Sequence, residues 1–389
     1  MQNNSFLCKF ISNHPNDWEE LLSACPYFIT VKKSEPFAIF NYNLLASEVI
    51  EDEENEESER FTCDFSLPEV QEARGIIINY QTLEVVCWPF RKFGNYGESY
   101  ADEIDWQTAR VQEKVDGSIM KLWYDKLHKH WQISSNKLID AGEATTSGGY
   151  SLLKLFKKAA KNQQLDFNVL NEDYTYIFEL VSPLNRVVIK YSEIEIYHIG
   201  TRSNLTGEEF VVDIGVKKPK SYPLNSLQDC IDAAAALNAD CGKFDLLNEG
   251  FVVVDGNWNR IKIKSPDYVL IHHALNGGIL SKKKIIKLIL ENEAKEYLTY
   301  YPDYEAVFNL YDKRIEIFQK EISHAVKYYK ELWAKYNPDK KAFAFEISRD
   351  KRKGWAFNII NYGKTEKDIF DAYTMSKLIE ELDAIQVEL

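Results

Sequence analysis

Glu113-Lys114-Val115-Asp116-Gly117-Ser118 leads into a strand-like run, Ile119 to Tyr124, and sets a lysine and an acid one residue apart beside a glycine. The glycine allows a ligand to approach the backbone, and the acid can orient a sugar hydroxyl or a metal-bound water. The lysine projects into the same pocket and suits nucleophilic attack on a nucleotide phosphate. Lys-x-Asp-Gly also arises as an ordinary charged strand end, so its surroundings decide its meaning.

Those surroundings are strand-rich on both sides. Upstream, Pro15-Asn16-Asp17 before Trp18, Leu21 and Leu22 predicts a short capped helix, and Tyr27 to Phe40 alternates like strands. Ala73-Arg74-Gly75-Ile76-Ile77-Ile78 and Val85 to Phe90 read as two strands joined by a polar turn. They lead into Phe90 to Glu98, rich in aromatic, basic and glycine residues, which by default is a surface hairpin with a packed aromatic.

Downstream, Ile119 to Tyr124 and Trp131 to Ser135 form a hairpin ending at Asn136-Lys137. Tyr150 to Gln163 has helical spacing, with Leu152, Leu153, Phe156 and Ala160 on one face. Tyr174 to Val181 returns to strand and carries Glu179 into Ser182-Pro183-Leu184-Asn185-Arg186. Ile194 to Arg202 is another strand, and Ser226 caps a helix through Leu237 with Leu227, Ile231 and Leu237 as its inward stripe. Glu249 to Val254 and Arg260 to Lys264 flank an Asp-Gly-Asn turn. In the second of these strands Lys262 and Lys264 share one face, and Ile261 and Ile263 the other.

From about Leu280 the period changes from two to 3.6. Lys283 to Tyr297, Tyr304 to Tyr336 and Glu366 to Ala384 read as helices, with Asn276-Gly277-Gly278 as the boundary. The pattern predicts an α+β domain of antiparallel sheets with flanking helices over 1–277, then an all-helical C-terminal domain over 278–389.

A chain of 389 residues, 45% hydrophobic and 28% charged, can bury two cores in a soluble protein. No apolar run reaches bilayer length and Met1 to Leu7 lacks signal-peptide character, so the expectation is a cytoplasmic protein without membrane partners, in a host cytoplasm if the source is viral. The six cysteines form no Cys-x-x-Cys pair and read as free buried thiols. The net charge of −13 argues against a polyanionic partner, but its distribution is uneven. Residues 276–389 carry 20 Lys plus Arg against 19 Asp plus Glu, leaving 27 against 41 before them. Eight acids and no base lie between Glu48 and Glu59, a solvated loop by default.

Arg74, Lys92, Lys114, Asp116, Lys137, Glu179, Arg186, Glu249, Lys262 and Lys264 fall mostly at strand ends and faces. A surplus of cations with a few carboxylates suits a nucleoside triphosphate, the cations holding phosphates and the acids Mg²⁺ through water. The order Lys-x-Asp-Gly, Phe-Glu-Leu, Glu-Gly-Phe-Val, Lys-x-Lys resembles motifs I, III, IV and V of the covalent nucleotidyltransferases. Ala73-Arg74-Gly75-Ile76, Lys92-Phe93-x-Asn95, Asn185-Arg186 and Lys262-Ile263-Lys264-Ser265 are most similar to ATP-dependent RNA ligases of the phage T4 RNA ligase 1 family. The resemblance covers residues from about 70 to 270 well. Gly94 departs from it, where the family often has a second aromatic.

That resemblance implies a nucleotidyltransferase, or adenylation, domain with Lys114 as the adenylated nucleophile. Arg74 and Lys92 would hold the departing pyrophosphate. Glu179 and Glu249 would bind Mg²⁺, with Mn²⁺ as a substitute, or the ribose, while Lys262 and Lys264 would contact the α-phosphate. Glu113, Asp116, Gly117, Lys137 and Tyr268 complete the implied ATP site. The implied partner is RNA with 5′-phosphate and 3′-hydroxyl ends, tRNA being one candidate. Its ends would be healed by a separate kinase and phosphatase, because no His-x-Thr pair is present and Gly363-Lys364-Thr365 lacks the first P-loop glycine. In the helical region, Lys282-Lys283-Lys284 and Arg349 to Lys353 beside Trp355 and Phe357 are the candidate RNA grip. The alternatives are a GTP-dependent capping guanylyltransferase and a non-catalytic RNA-end binder of the same fold.

Overall fold

The computed structural model describes residues 4–44, 46–52, 57–146, 149–238, 248–269 and 282–387, by backbone alone at 47–52, 57–60, 300 and 303. The Asn276-Gly277-Gly278 boundary, residues 53–56 of the acidic run and Cys241 lie outside them. The chain divides into two compact units, residues 1–46 with 62–278, and residues 47–61 with 279–389.

The first unit is built on three antiparallel sheets. One orders β1 (Ile29–Ser34), β2 (Phe37–Tyr42), β5 (Arg74–Asn79) and β6 (Glu84–Cys87). The second orders β12 (Glu209–Phe210), β11 (Glu195–Ser203), β10 (Tyr174–Val181), β8 (Ser118–Asp125) and β9 (His130–Ser135). The third orders β13 (Ser221–Tyr222), β7 (Arg110–Glu113), β14 (Gly250–Val254) and β15 (Arg260–Lys264). Short helices Phe6–Asn13, Trp18–Ser23 and Pro68–Glu72 flank the first sheet. The helix Leu152–Asn162 buries Leu152, Leu155, Phe156, Ala159 and Ala160 in a core shared with Met120, Leu122, Phe178 and Leu180. Period-two alternation supplies the sheet faces: Ile261 and Ile263 go into the core with Val111, Phe251 and Val253, so Lys262 and Lys264 must face away from it.

The helix Leu227–Ala236 starts where Ser226 predicts it, the serine hydroxyl accepting from the Asp229 N–H at 3.1 Å. Its stripe differs from expectation. Cys230 and Ala234 are its buried residues and Leu227 is 38% exposed, because the face packed on β14 and β15 runs through Cys230, Ala234 and the part-buried Ile231 and Leu237.

The second unit is helical apart from the ribbon of β3 (Ser47–Asp52) and β4 (Glu57–Thr62). Strand pairing there replaces the expected loop at the described residues of the acidic run, a run that the strand-favouring residue types Val49 and Ile50 interrupt in sequence. The 32-residue helix Glu305–Tyr336 buries Phe308, Tyr311, Ile315, Phe318, Ile322, Val326 and Tyr329, alternating steps of three and four that make one continuous stripe. Helices Lys282–Leu290, Ala294–Tyr300, Lys340–Glu346, Lys353–Tyr362, Glu366–Asp371 and Met375–Ala384 complete the unit. The predicted helix Lys283 to Tyr297 is thus two, broken where Asn292 takes a left-handed φ of 56°. Gly363-Lys364-Thr365 is a helix stop and start: Gly363 closes one helix at φ 61°, and Thr365 opens the next with a reciprocal capping box to Asp368.

Among the described residues no helix is long and apolar enough to cross a membrane. Among the described cysteines Cys8, Cys63, Cys87 and Cys230 are buried, and Cys25 is half-buried.

Candidate active site

Residues 114–117 carry the chain from β7 in the third sheet to β8 in the second. The Lys114 N–H donates to the Gly250 carbonyl at 2.9 Å, extending the β7–β14 ladder by one bond. Three residues on, Gly117 lies so close to β10 that a Cβ there would meet the Leu180 carbonyl oxygen at 2.4 Å and Glu179 Cγ at 3.1 Å. Only glycine permits this approach, and it brings the lysine-bearing turn against the strand that carries Glu179.

A cavity of about 670 Å³ opens at this junction. Arg74, Glu113, Lys114, Gly117, Lys137, Glu179, Lys262 and Lys264 line it, contributed by all three sheets and the β9 end. Glu249 stands behind Lys114: its Oε2 lies 2.7 Å from the Lys114 Nζ in a largely buried ion pair. The Lys114 side chain is 22% exposed and that of Glu249 4%. Burial pushes the Glu179 carboxyl up to about 8, opposed by Lys114 and Arg74 and reinforced by the neighbouring Glu249 and Asp116. Burial likewise pushes Glu249 up, against the pull of Lys114 and Lys264.

Four expected ligand-binding residues do not line the cavity: Glu249, behind Lys114, and three that stand elsewhere. Asp116 and Tyr268 do not line the cavity but hold each other beneath it. Asp116 accepts from the Val188 and Ile189 N–H groups at 2.8 and 2.7 Å and from the Tyr268 hydroxyl at 2.8 Å. Those three bonds use both carboxylate oxygens, so Asp116 fixes the loop after β10. Lys92 does not line the cavity either. Its ammonium sits over the rings of Tyr42, Phe65 and Tyr100, 5.1 to 5.9 Å from their centroids, in a cation–π enclosure. Arg186 donates to the Val188 carbonyl at 2.9 Å within its own loop.

The cavity also takes in residues that sequence reasoning missed. Arg260 was legible, since it continues the alternation of Lys262 and Lys264; its charge is committed to Glu209 through contacts of 2.9 and 2.5 Å. Phe90 and Phe93 line the wall instead of forming a surface hairpin. Asn136, Glu143 and Thr145 carry no motif and join through the fold of the segment after β9.

The helical unit revises the expected RNA grip. The Arg352 guanidinium donates to Glu321 at 2.7 Å and to both oxygens of Glu381 at 2.9 and 3.0 Å, and stacks 4.4 Å from the Trp355 ring centroid. Trp355 is buried, Lys284 is buried and Lys282 pairs with Asp383 at 2.7 Å. These side chains hold helices together, and tertiary contacts absorb the charge that looked available.

No group of three or more His, Cys, Asp or Glu among the described residues forms a metal cage. Glu179 and Glu249 fit a different kind of site: Mg²⁺ bound by one or two carboxylates keeps waters and substrate phosphates as its other ligands. Two acids buried side by side at raised pKa are also groups that a bound cation would relieve.

The family model described as RNA ligase matches residues 72–268, the span that holds the whole cavity. This chain belongs to that RNA ligase family. Among its relatives is a protein of Autographa californica nuclear polyhedrosis virus, named as a candidate bifunctional polynucleotide kinase/RNA ligase, 29% identical over 283 residues. The match covers 68% of this chain and 39% of that protein. The RNA ligase of Rhodothermus phage RM378 is 26% identical over 339 residues, 70% of this chain and 77% of its own. An archaeal ATP-dependent RNA ligase structure covers 75% of this chain and 78% of its own, at 12% identity and a TM-score of 0.37, too distant to bear on function. The matched span runs from β5 to β15, leaves β1 and β2 of the first sheet outside it, and ends before the helices that begin at Lys282.

Proposed function

We propose that the chain is an ATP-dependent RNA ligase that joins RNA 5′-phosphate and 3′-hydroxyl ends through a lysyl-AMP on Lys114 and then an adenylated RNA end. The observation that carries this reading is the Lys114 ammonium on the cavity wall, in contact with Glu249 behind it and sharing the wall with Arg74, Lys262 and Lys264.

Lysine attacks phosphorus only as the free amine, and the Glu249 carboxylate is the group in contact with the proton that must leave. The Lys114 nitrogen then bonds to the α-phosphorus of ATP as the bond to pyrophosphate breaks. Lys262 and Lys264, side by side on β15, stabilise charge on the transferring phosphoryl group, and Arg74 faces the leaving phosphates. Mg²⁺ held through Glu179 and Glu249 would add charge neutralisation at the phosphates. In the second step a 5′-phosphate oxygen of RNA takes the AMP and releases Lys114. In the third the RNA 3′-hydroxyl attacks that 5′-phosphorus and AMP leaves.

The same proposal gives RNA contact to the second half of the helical unit. Residues 327–364 hold ten Lys plus Arg against four Asp plus Glu, within a chain of net charge −13. All ten cations except Arg352 are exposed, and among them stand Tyr328, Phe345 and Tyr362, exposed by 51, 81 and 73%. Exposed rings among lysines suit unpaired bases and backbone phosphates. The kinase named in the viral relative is consistent with end healing outside the ligase cavity.

Incubation with α-labelled ATP or GTP followed by denaturing electrophoresis tests the reading. Label from ATP on the chain, released by 5′-phosphate RNA, is expected. Label from GTP alone would make it a capping guanylyltransferase, and no label from either a binding protein.

A further inference from the structure

Phe93 reaches the cavity wall from a segment fixed on both flanks. On one side Arg91 donates to Gln71 at 2.6 Å and to both oxygens of Asp102 at 2.8 and 2.9 Å, while the Lys92 N–H donates to the Gln71 carbonyl at 2.7 Å. On the other, the Lys262 N–H donates to the Gly94 carbonyl at 3.0 Å and the Tyr96 N–H to the Lys262 carbonyl at 2.9 Å, so the segment pairs with β15 at the very residue that carries the cation. A Cβ on Gly94 would lie 2.9 Å from Ala101 Cα. No side chain fits at 94, and Phe93 alone of this pair presents a ring.

Two cations from different sheets meet on that ring. The Arg74 guanidinium carbon, from β5, lies 5.1 Å from its centroid, and the Lys262 Nζ, from β15, lies 5.4 Å from it. Phe93 is 8% exposed and packs with Phe90 and Ile177, so neither its ring nor its backbone is free to follow a ligand. Like charges on one wall repel, and a desolvated aromatic face attracts both.

We infer that Phe93 is a positioning residue of the phosphate-binding wall, its ring holding Arg74 and Lys262 in the spacing that receives a polyphosphate. The inference rests on the ATP-dependent reading, but it concerns the two cations and applies to inorganic tripolyphosphate as well. Phe93 itself touches no reacting atom.

The test replaces Phe93 with 4-fluoro-, 3,5-difluoro- and 3,4,5-trifluorophenylalanine, which weaken the ring's negative face stepwise at nearly constant volume. Tripolyphosphate affinity is read by calorimetry, and the melting temperature reports the fold. Affinity is expected to fall with each fluorine, by about five- to tenfold across the series, the scale of a partly desolvated cation–π pair. In an Arg74→Ala background the slope should shrink, since one of the two cations is gone. A flat series, a series with the same slope in Arg74→Ala, or a wild-type chain that does not bind tripolyphosphate overturns the inference. Failure of the wild-type chain to take label from ATP would sink the ligase reading alone, because the tripolyphosphate series still decides the role of Phe93.

Discussion

The Lys114 ammonium and the Glu249 carboxylate are 2.7 Å apart with the acid almost wholly enclosed, so the proposed nucleophile is also the counter-charge of a buried group. The pair ties chemistry to stability. Removing the lysine strands an acid that burial already pushes toward its neutral form.

Lys114→Ala is therefore expected to abolish label uptake from α-labelled ATP and to lower stability by on the order of 1–3 kcal/mol, the cost of a buried partner left unsatisfied. Lys114→Ala with Glu249→Gln should recover most of that stability and none of the labelling. Supplied with pre-adenylated RNA, Lys114→Ala should still seal and Glu249→Ala should not, since the nucleophile is dispensable at that step. Urea titration and gel assays read both halves, and equal sealing by the two variants would count against the assignment.

Arg352 joins the long helix Glu305–Tyr336, through Glu321, to the helix Met375–Ala384, through Glu381. Arg352→Ala should lower stability by about 1–2 kcal/mol, since both carboxylate partners are partly exposed, and Arg352→Lys should rescue little, because lysine cannot form the bidentate pair or the stack on Trp355. Lys351→Ala and Lys353→Ala, both at exposed positions, should stay within about 0.5 kcal/mol of the parent. Denaturant midpoints check this, and equal effects at all three positions would refute the distinction.

For the exposed face of residues 327–364, Tyr328→Ala with Phe345→Ala should weaken binding of unpaired RNA about tenfold or more with little change in salt dependence, at ~1–3 kcal/mol per stacked base. Lys330→Ala with Lys341→Ala should instead reduce the salt slope, by about 0.7 for each phosphate no longer neutralised. Self-adenylation should be unchanged in both. Fluorescence anisotropy over a salt series separates the two signatures, and wild-type RNA affinity in both variants would remove RNA binding from this face.

His198 on β11 is buried against Tyr176 and Phe178 and held down to about 4 by that burial, its Nε2 set 2.8 Å from the Thr201 hydroxyl. With a folded-state pKa below the ordinary 6.5, the unfolded chain binds the extra proton as pH falls. The stabilisation is complete above 6.5 and is lost progressively as pH drops from 6.5 to about 4. His198→Gln should flatten that part of the pH–stability curve. Urea midpoints at pH 4 to 7 show it, and parallel curves for parent and variant would contradict it.

Much of the site could be read without coordinates. The Lys-x-Asp-Gly turn, the acids of β10 and of the residue before β14, and the paired lysines of β15 follow from period-two alternation and motif order, because a strand side chain's face is set by local geometry alone. Which charges remain available to a ligand could not be read, since that depends on what packs against them. Lys92 carries a motif signature, yet three rings distant in sequence enclose its ammonium. Asp116 belongs to the central motif, yet residues 188, 189 and 268 use its oxygens. Arg352 and Trp355 look like an RNA grip in the sequence and are a helix clasp in the fold. Sequence determined the central strands and the cations each presents, whereas burial and long-range partners, which only tertiary structure supplies, decided which of them face the cavity.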